Sequence, residues 1–195
     1  MELLKRENVM AIGKILDPTG IRNDDITSPG PDAGSLHGKV IGIRLDEIWR
    51  AWDWVSEYWA AEFEKAGATV KFWRSNQGRT GEEGERIAKQ LDEFIQSIDI
   101  AIVGLGNCGS CTGWTIRDAL ACANAGLPTT AVCTEVFEQL GKQLSAHGGR
   151  SGLRIHILPY PLNEKEIDDV LPVAKDHLQS MLATMGVTEQ MENIA

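Results

Sequence analysis

Two rhythms of apolar spacing alternate along this chain. Short apolar runs read as strands: Lys39 to Arg44, Thr69 to Trp73, Ile98 to Leu105, Pro128 to Cys133 and Leu153 to Leu158. Between them apolar residues recur at helical spacing. Trp49, Trp52, Val55, Trp59 and Phe63 mark a first helix over Asp46 to Lys65, and Gly67 suits its C-terminal cap. Ile87, Leu91, Phe94 and Ile95 mark a second, ending near Ser97. Trp114, Ile116, Ala119, Leu120 and Ala123 mark a third over Thr112 to Ala125, closed by Gly126. A fourth covers Glu135 to Ala146 with Thr134 placed to cap it, and a fifth covers Glu164 to Met185. Strand and helix alternate five times, the pattern of a mostly parallel sheet covered on both faces. The expected fold is α/β and three-layered, Rossmann-like or flavodoxin-like, with five strands in the order 2-1-3-4-5.

Both ends read differently. Residues 1–38 form an N-terminal arm, 39–186 a single α/β domain and 187–195 a C-terminal tail. Within the arm, Val9 to Leu16 is apolar enough for a short strand or docked segment, and Asp17-Pro18-Thr19-Gly20 is turn chemistry. Ile21 to Ser35, rich in Asp, Pro and Gly, reads as a long loop that packs over the body and closes a site.

Composition narrows the classes. A chain of 195 residues with 43% hydrophobic and 24% charged content suits one globular domain. The net charge of −9, without a basic cluster, argues against nucleic acid as a partner. Met1 to Asn8 lacks the apolar core of a signal peptide, and no apolar run is long enough to span a membrane. Four cysteines in a chain of this length do not make a disulfide framework. The expected compartment is the cytoplasm, where thiols stay reduced, so a close cysteine pair points to catalysis or a metal.

The predicted sheet carries polar and reactive groups at the C-terminal ends of its strands, where such folds bind ligands. Arg44 and Asp46 end the first strand, Trp73 and Arg74 the second, Cys133-Thr134-Glu135 the fourth and Pro159-Tyr160 the fifth. The third strand runs into Gly104-Leu105-Gly106-Asn107-Cys108-Gly109-Ser110-Cys111, a Cys-x-x-Cys pair in a glycine-rich turn ahead of a helix. Helix N-termini and Cys-x-x-Cys spacing both lower thiol pKa values, so Cys108 or Cys111 is expected to be reactive. One thiolate of such a pair attacks and the other resolves the intermediate as a disulfide.

Other readings of the same stretch stay in view. The pair would also suit a tight structural turn, or half of a zinc site completed by Cys122, Cys133 or a histidine. Cys122 falls too far along its helix to reach, and no metal is predicted. Cys122 reads as core, whereas Cys133 reads as core or as facing the site. Gly104-x-Gly106-x-x-Gly109 matches the dinucleotide fingerprint, with Glu135 near the place of a ribose-binding acid. Against that, Gly104 falls inside the strand, and the third strand is not the usual one. His37 and His147 lie in segments able to swing toward the thiols, while His156 and His177 belong to the fifth strand and helix. Asp118 falls near the thiols or complements the helix dipole. The tryptophan stripe suits the core or an oligomer interface.

Larger segments carry a resemblance. Cys108-Gly109-Ser110-Cys111-Thr112, Asp118-Ala119, Ala125-Gly126-Leu127-Pro128-Thr129 and Val132-Cys133-Thr134-Glu135-Val136-Phe137 resemble the UGSC-like family, named for a selenocysteine-Gly-Ser-Cys motif. Ile15 to Gly20, Gly38 to Gly42 and Leu158 to Leu162 are similar to it as well. The segment is more distantly similar to the substrate-binding selenoprotein subunit of glycine and betaine reductases. The resemblance implies that Cys108, at the selenocysteine position, is the nucleophile and Cys111 the resolving thiol.

The resulting expectation is a cysteine-dependent enzyme, a thiol oxidoreductase or a Cys-nucleophile lyase or hydrolase, acting on a small polar substrate. Cys108 and Cys111 are catalytic; Asp17, Thr19, Asp46, Gly109, Ser110, Thr112 and Thr134 bind substrate. No cofactor is predicted, and an external thiol or dithiol would serve as reductant. A homodimer, or a hetero-oligomer with a related subunit, is expected. The alternatives are a nicotinamide- or flavin-binding oxidoreductase using the glycine loop, and a non-catalytic subunit of a larger reductase.

Overall fold

A computed structural model describes residues 24–75 and 80–188. Five parallel strands, β1 (Val40–Leu45), β2 (Thr69–Arg74), β3 (Ile100–Gly106), β4 (Thr129–Thr134) and β5 (Arg154–Leu158), form one sheet in the order β2-β1-β3-β4-β5. Helices α1 (Arg50–Lys65) and α5 (Ile167–Met185) cover one face. Helices α2 (Gly81–Gln96), α3 (Gly109–Asn124) and α4 (Glu138–His147) lie on the other. This is the flavodoxin-like arrangement expected from the sequence.

Burial explains the layers. Every residue of β3 is buried, as a central strand covered on both faces must be. Ile100, Ile102 and Leu105 face α1 and α5, while Ala101 and Val103 face α2 and α3. The tryptophan stripe settles on the first face. Trp52 and Trp59 are fully buried and meet edge to face at 5.7 Å. Their indole N–H groups donate to the carbonyls of Arg44 at 3.0 Å and Ala174 at 2.8 Å. These two rings are therefore core and do not supply an oligomer face.

Element ends moved for local reasons. Helix α1 begins at Arg50 and not Asp46, because Asp46 Oδ1 accepts the N–H groups of Ile48 and Trp49, both at 2.9 Å, and shapes a turn first. Asn163, from the β5–α5 connection, then accepts the Ala51 N–H at 3.2 Å. Helix α2 starts at Gly81, earlier than the apolar spacing suggested, because its first turn is polar. A short 3-10 turn, Glu135–Phe137, precedes α4.

The described part of the arm binds the end of the sheet remote from the cysteine motif. Ile26 exchanges backbone bonds with Gly149 and Gly152, and Arg154 donates to the carbonyls of Pro29 at 2.9 Å and Pro31 at 2.7 Å. The Ala33 N–H donates to Met185 and that of Gly38 to Gly67. All these partners lie at helix ends or strand beginnings. Residues 24–38 therefore follow the N-terminal edge of the strands and do not close a site at the C-terminal edge. The same edge holds His37, packed against Gly67, and His147 at the end of α4, so neither reaches the cysteines. The segment Val9 to Leu16 lies outside the described residues.

Candidate functional site

Cys108 is the residue at which β3 has ended and α3 has not begun. Its backbone is extended (φ −153°, ψ 169°), and its Sγ accepts the Cys111 N–H at 3.1 Å. Cys108 thus fills the N-cap position that serine or aspartate commonly takes. That is why the helix starts at Gly109, ahead of the Thr112 expected from apolar spacing. Cys108 and Cys111 are joined as a disulfide with a Cα–Cα distance of 5.1 Å. Their exposures differ: Cys108 is half-buried, whereas Cys111 is only 2% exposed. Gly109 and Ser110 are exposed beside them, with Ser110 Oγ 3.4 Å from Cys108 Sγ. Cys108 therefore keeps part of its surface toward solvent, while Cys111 is enclosed.

The turn is braced from below. The Thr112 hydroxyl donates to the Cys108 carbonyl at 2.6 Å. The Thr134 hydroxyl reaches Asn107 Oδ1 at 2.9 Å and the Gly106 carbonyl at 3.4 Å. Both threonines are fully buried. The structure thus brings Thr112 and Thr134, expected to touch substrate, to the site as supports of the cysteine turn. Asp46 stands at the switch point between β1 and β3 but is 2% exposed, one oxygen committed to the turn and the other 3.9 Å from Arg44 Nη1. Gly109 and Ser110 remain the expected binding residues that meet solvent next to the sulfur. Asp17 and Thr19 lie outside the described residues.

Beneath the site lies an ion pair that apolar spacing does not announce. Arg44 Nε donates to Asp118 Oδ2 at 3.1 Å, and Arg44 Nη1 donates to the Gly104 carbonyl at 2.9 Å. Both side chains are almost completely buried. Gly104 lies where the β3–β4 register slips: Val103 pairs with Ala131, but Gly106 pairs with Cys133, so two β3 residues oppose one on β4. Arg44 thus ties β1, the bulge and α3 together immediately before the cysteine turn. A sequence signal existed, since Asp118 interrupts the apolar run of α3 between Ile116 and Ala119.

Packing accounts for the glycines of the dinucleotide-like fingerprint. A Cβ on Gly104 would lie 2.6 Å from Trp52 Cε2, and one on Gly106 would lie 2.7 Å from Cys133 Sγ. Their missing side chains make room for the protein's own core, while a Cβ on Gly109 would meet open space. Cys133 packs beneath Gly106 and does not face the site, and Cys122 is core on α3. Burial pushes both thiols up to about 12, helped by Asp118 for Cys122 and Glu138 for Cys133. Among the described residues, no group of three His, Cys, Asp or Glu could hold a metal ion. No described helix is long and apolar enough to cross a membrane.

The model of the UGSC family matches residues 14–187, which include the whole cysteine turn and every element of the sheet. A flavo di-iron protein variant from Thermotoga maritima is structurally similar, with a TM-score of 0.45 and 11% identity. The likeness covers 76% of this chain and 37% of that one. No curated protein matches the chain.

Proposed function

The chain belongs to the UGSC family, and from that premise and the geometry of the Cys108 turn we propose that the protein is a cysteine-dependent oxidoreductase of a small polar substrate. The observation that carries the proposal is Cys108 Sγ at the head of α3, accepting the Cys111 N–H at 3.1 Å while within bonding reach of the second sulfur. Such a position favours negative charge, through the helix dipole and a directed amide. In the reduced state the Ser110 hydroxyl adds a second donor. Cys108 as thiolate attacks a carbon bearing a heteroatom leaving group, and a sulfur–carbon bond forms as the leaving group departs with its electron pair. Cys111, as thiolate, then attacks Cys108 sulfur. The sulfur–carbon bond breaks, the carbon keeps the electron pair and takes a proton, and the disulfide closes. The substrate is reduced by two electrons and the dithiol oxidised by two. A sulfur electrophile would follow the same two displacements. In the cytoplasm the pair would be returned to the dithiol between turnovers.

The test is competitive alkylation of the reduced protein near neutral pH, mapped by mass spectrometry. Cys108 should label first. Slow, equal labelling of all four cysteines would overturn the reading. An intact-mass search for adducts on a Cys111→Ser variant, which cannot resolve them, would then identify the substrate class.

A further inference from the structure

If the pair is a redox couple, as proposed above, its disulfide must be reduced again. The other two cysteines do not form a dithiol that could do this: both are buried in the core, Cys133 beneath Gly106 and Cys122 about three turns along α3 from Cys111. All four cysteines of the sequence are thereby accounted for, so a second dithiol would have to come from outside these 195 residues, and the surface around Cys108 has features suited to receiving it.

Large apolar side chains are exposed in the loops of the same rim. Ile48 follows β1 and is 50% exposed; Val136 follows β4 and is 62% exposed; Tyr160 follows β5 and is 42% exposed. Ile167, the first residue of α5, is 41% exposed. Phe137 and Tyr160 meet edge to face at 6.3 Å, which braces the β4 and β5 loops against each other. Apolar groups of this size are not needed to admit a small thiol, but they suit contact with another protein. The loops also carry charge of one predominant sign. Glu47, Glu135, Glu164, Glu166 and Asp168 are exposed there, against Arg50, the half-buried Lys165, and Arg74 at the end of β2, which pairs with Asp53 at 3.0 Å.

We propose that the rim formed by Ile48, Val136, Tyr160 and Ile167 is the docking surface for a dithiol protein whose own active site is flanked by apolar and basic side chains, and which reduces the Cys108–Cys111 disulfide. The partner's thiolate attacks the accessible Cys108 sulfur. The Cys108–Cys111 bond breaks, and Cys111 leaves as thiolate and takes a proton. The partner's second thiol loses a proton and attacks the partner's first sulfur, which releases Cys108. Two electrons pass to this chain, and the partner leaves as a disulfide. The apolar groups hold the two sulfur sites together, and the carboxylates draw a basic partner in.

Stopped-flow reduction of the disulfide in the full chain tests this. The probes are two synthetic Cys-Gly-Pro-Cys peptides with the same tryptophan and leucine neighbours, one flanked by lysines and one by glutamates. Dithiothreitol is the small-molecule reference. At low salt the lysine peptide should be faster than the glutamate peptide by about 10-fold, and the gap should close at about 0.5 M salt. In the Val136→Ser/Ile167→Ser variant the lysine-peptide rate, taken as a ratio to the dithiothreitol rate, should drop by roughly 5-fold. Equal rates for the two peptides, or an unchanged ratio in the variant, would show that small thiols suffice and overturn the docking surface alone. If dithiothreitol leaves the bond intact in the folded chain, the redox reading itself fails.

Discussion

Cys108 and Cys111 sit where a strand gives way to a helix, and Cys108 keeps part of its surface toward solvent. Cys122 and Cys133 are enclosed in the core on the α3 side of the sheet. Cys122 even shares α3 with Cys111, about three turns further on. Identical side chains thus stand in opposite environments within one helix. At the helix head, orphan amides favour a thiolate. In the interior, desolvation opposes it and pushes Cys122 and Cys133 up to about 12. On the reading proposed above, position relative to a helix end and to water, more than residue type, decides which sulfur can react.

The largest expected effect is on labelling rates. With pKa values near 12, the buried thiols are ionised in only about one molecule in 10⁴ at pH 8. Reduced native protein should therefore alkylate at the motif at least about 10³-fold faster than at Cys122 or Cys133. Cys108→Ser should abolish both the fast-labelling sulfur and the dithiol–disulfide couple, whereas Cys122→Ala/Cys133→Ala should keep both. A fast sulfur surviving Cys108→Ser would transfer the nucleophile's role to Cys111.

A second test acts on the ion pair beneath the rim. Arg44→Met leaves the Asp118 carboxylate buried without the guanidinium 3.1 Å away. Breaking one side of such a pair costs about 3–5 kcal/mol, read as a lower urea midpoint. Arg44→Met/Asp118→Leu should recover most of that loss. Because the Asp118 charge helps hold the Cys122 thiol up, the double variant should also bring Cys122 labelling closer to that of the motif. If Cys122 stays as slow as before, desolvation alone silences it.

These residues also mark how far the sequence could be read. The elements were legible because short apolar runs and period-3.6 stripes follow from which faces are buried, and the strand order followed from their alternation as the usual doubly wound arrangement. The cysteine turn was legible because its thiols and glycines fall at a change of period. Three features were not. Cys108 as its own helix cap was hidden because thiols are unusual N-caps, and apolar spacing alone places the start of α3 three residues late, at Thr112. Arg44 and Asp118 lie 74 positions apart, and pairing across that distance leaves no local signature. The arm's course depends on Arg154 gripping Pro29 and Pro31, contacts that composition alone does not reveal. Conversely, Gly104 and Gly106 advertised a nucleotide loop, yet a missing Cβ looks the same whether a ligand or a tryptophan fills the space.

Desolvation can be sharpened on a group of opposite charge type. His156 on β5 packs against Trp59 and has its Nε2 3.3 Å from His177 Nδ1. Burial, with His177 adding to it, lowers its pKa from 6.5 to about 4. Protonation is the charging step here, so burial pushes the value down where it pushed the thiols up. The unfolded chain takes up this proton first as pH falls. The stabilisation is complete above about pH 6.5 and is lost as pH falls through about 4, on the order of 3 kcal/mol in all. His156→Asn should flatten stability across that window. An unchanged slope would place the titrating group elsewhere.

The smallest effect tests whether the two cysteine pairs are physically joined. Gly106 is the last residue of β3 and lies directly above Cys133, while the Thr112 hydroxyl beside it holds the Cys108 carbonyl. In Gly106→Ala the new methyl would stand 2.7 Å from Cys133 Sγ and 3.1 Å from Thr112 Oγ1. Neither neighbour is the end of a long flexible chain, so one must shift. Overpacking of this kind costs about 1–3 kcal/mol. If Cys133 yields, only stability falls, and Gly106→Ala/Cys133→Ala restores it by removing the sulfur. If Thr112 yields, its bond to Cys108 loosens, and the motif's alkylation rate changes together with stability. A double variant that regains stability and the original alkylation rate would show that a buried, unreactive sulfur sets the position of the reactive one through a single glycine.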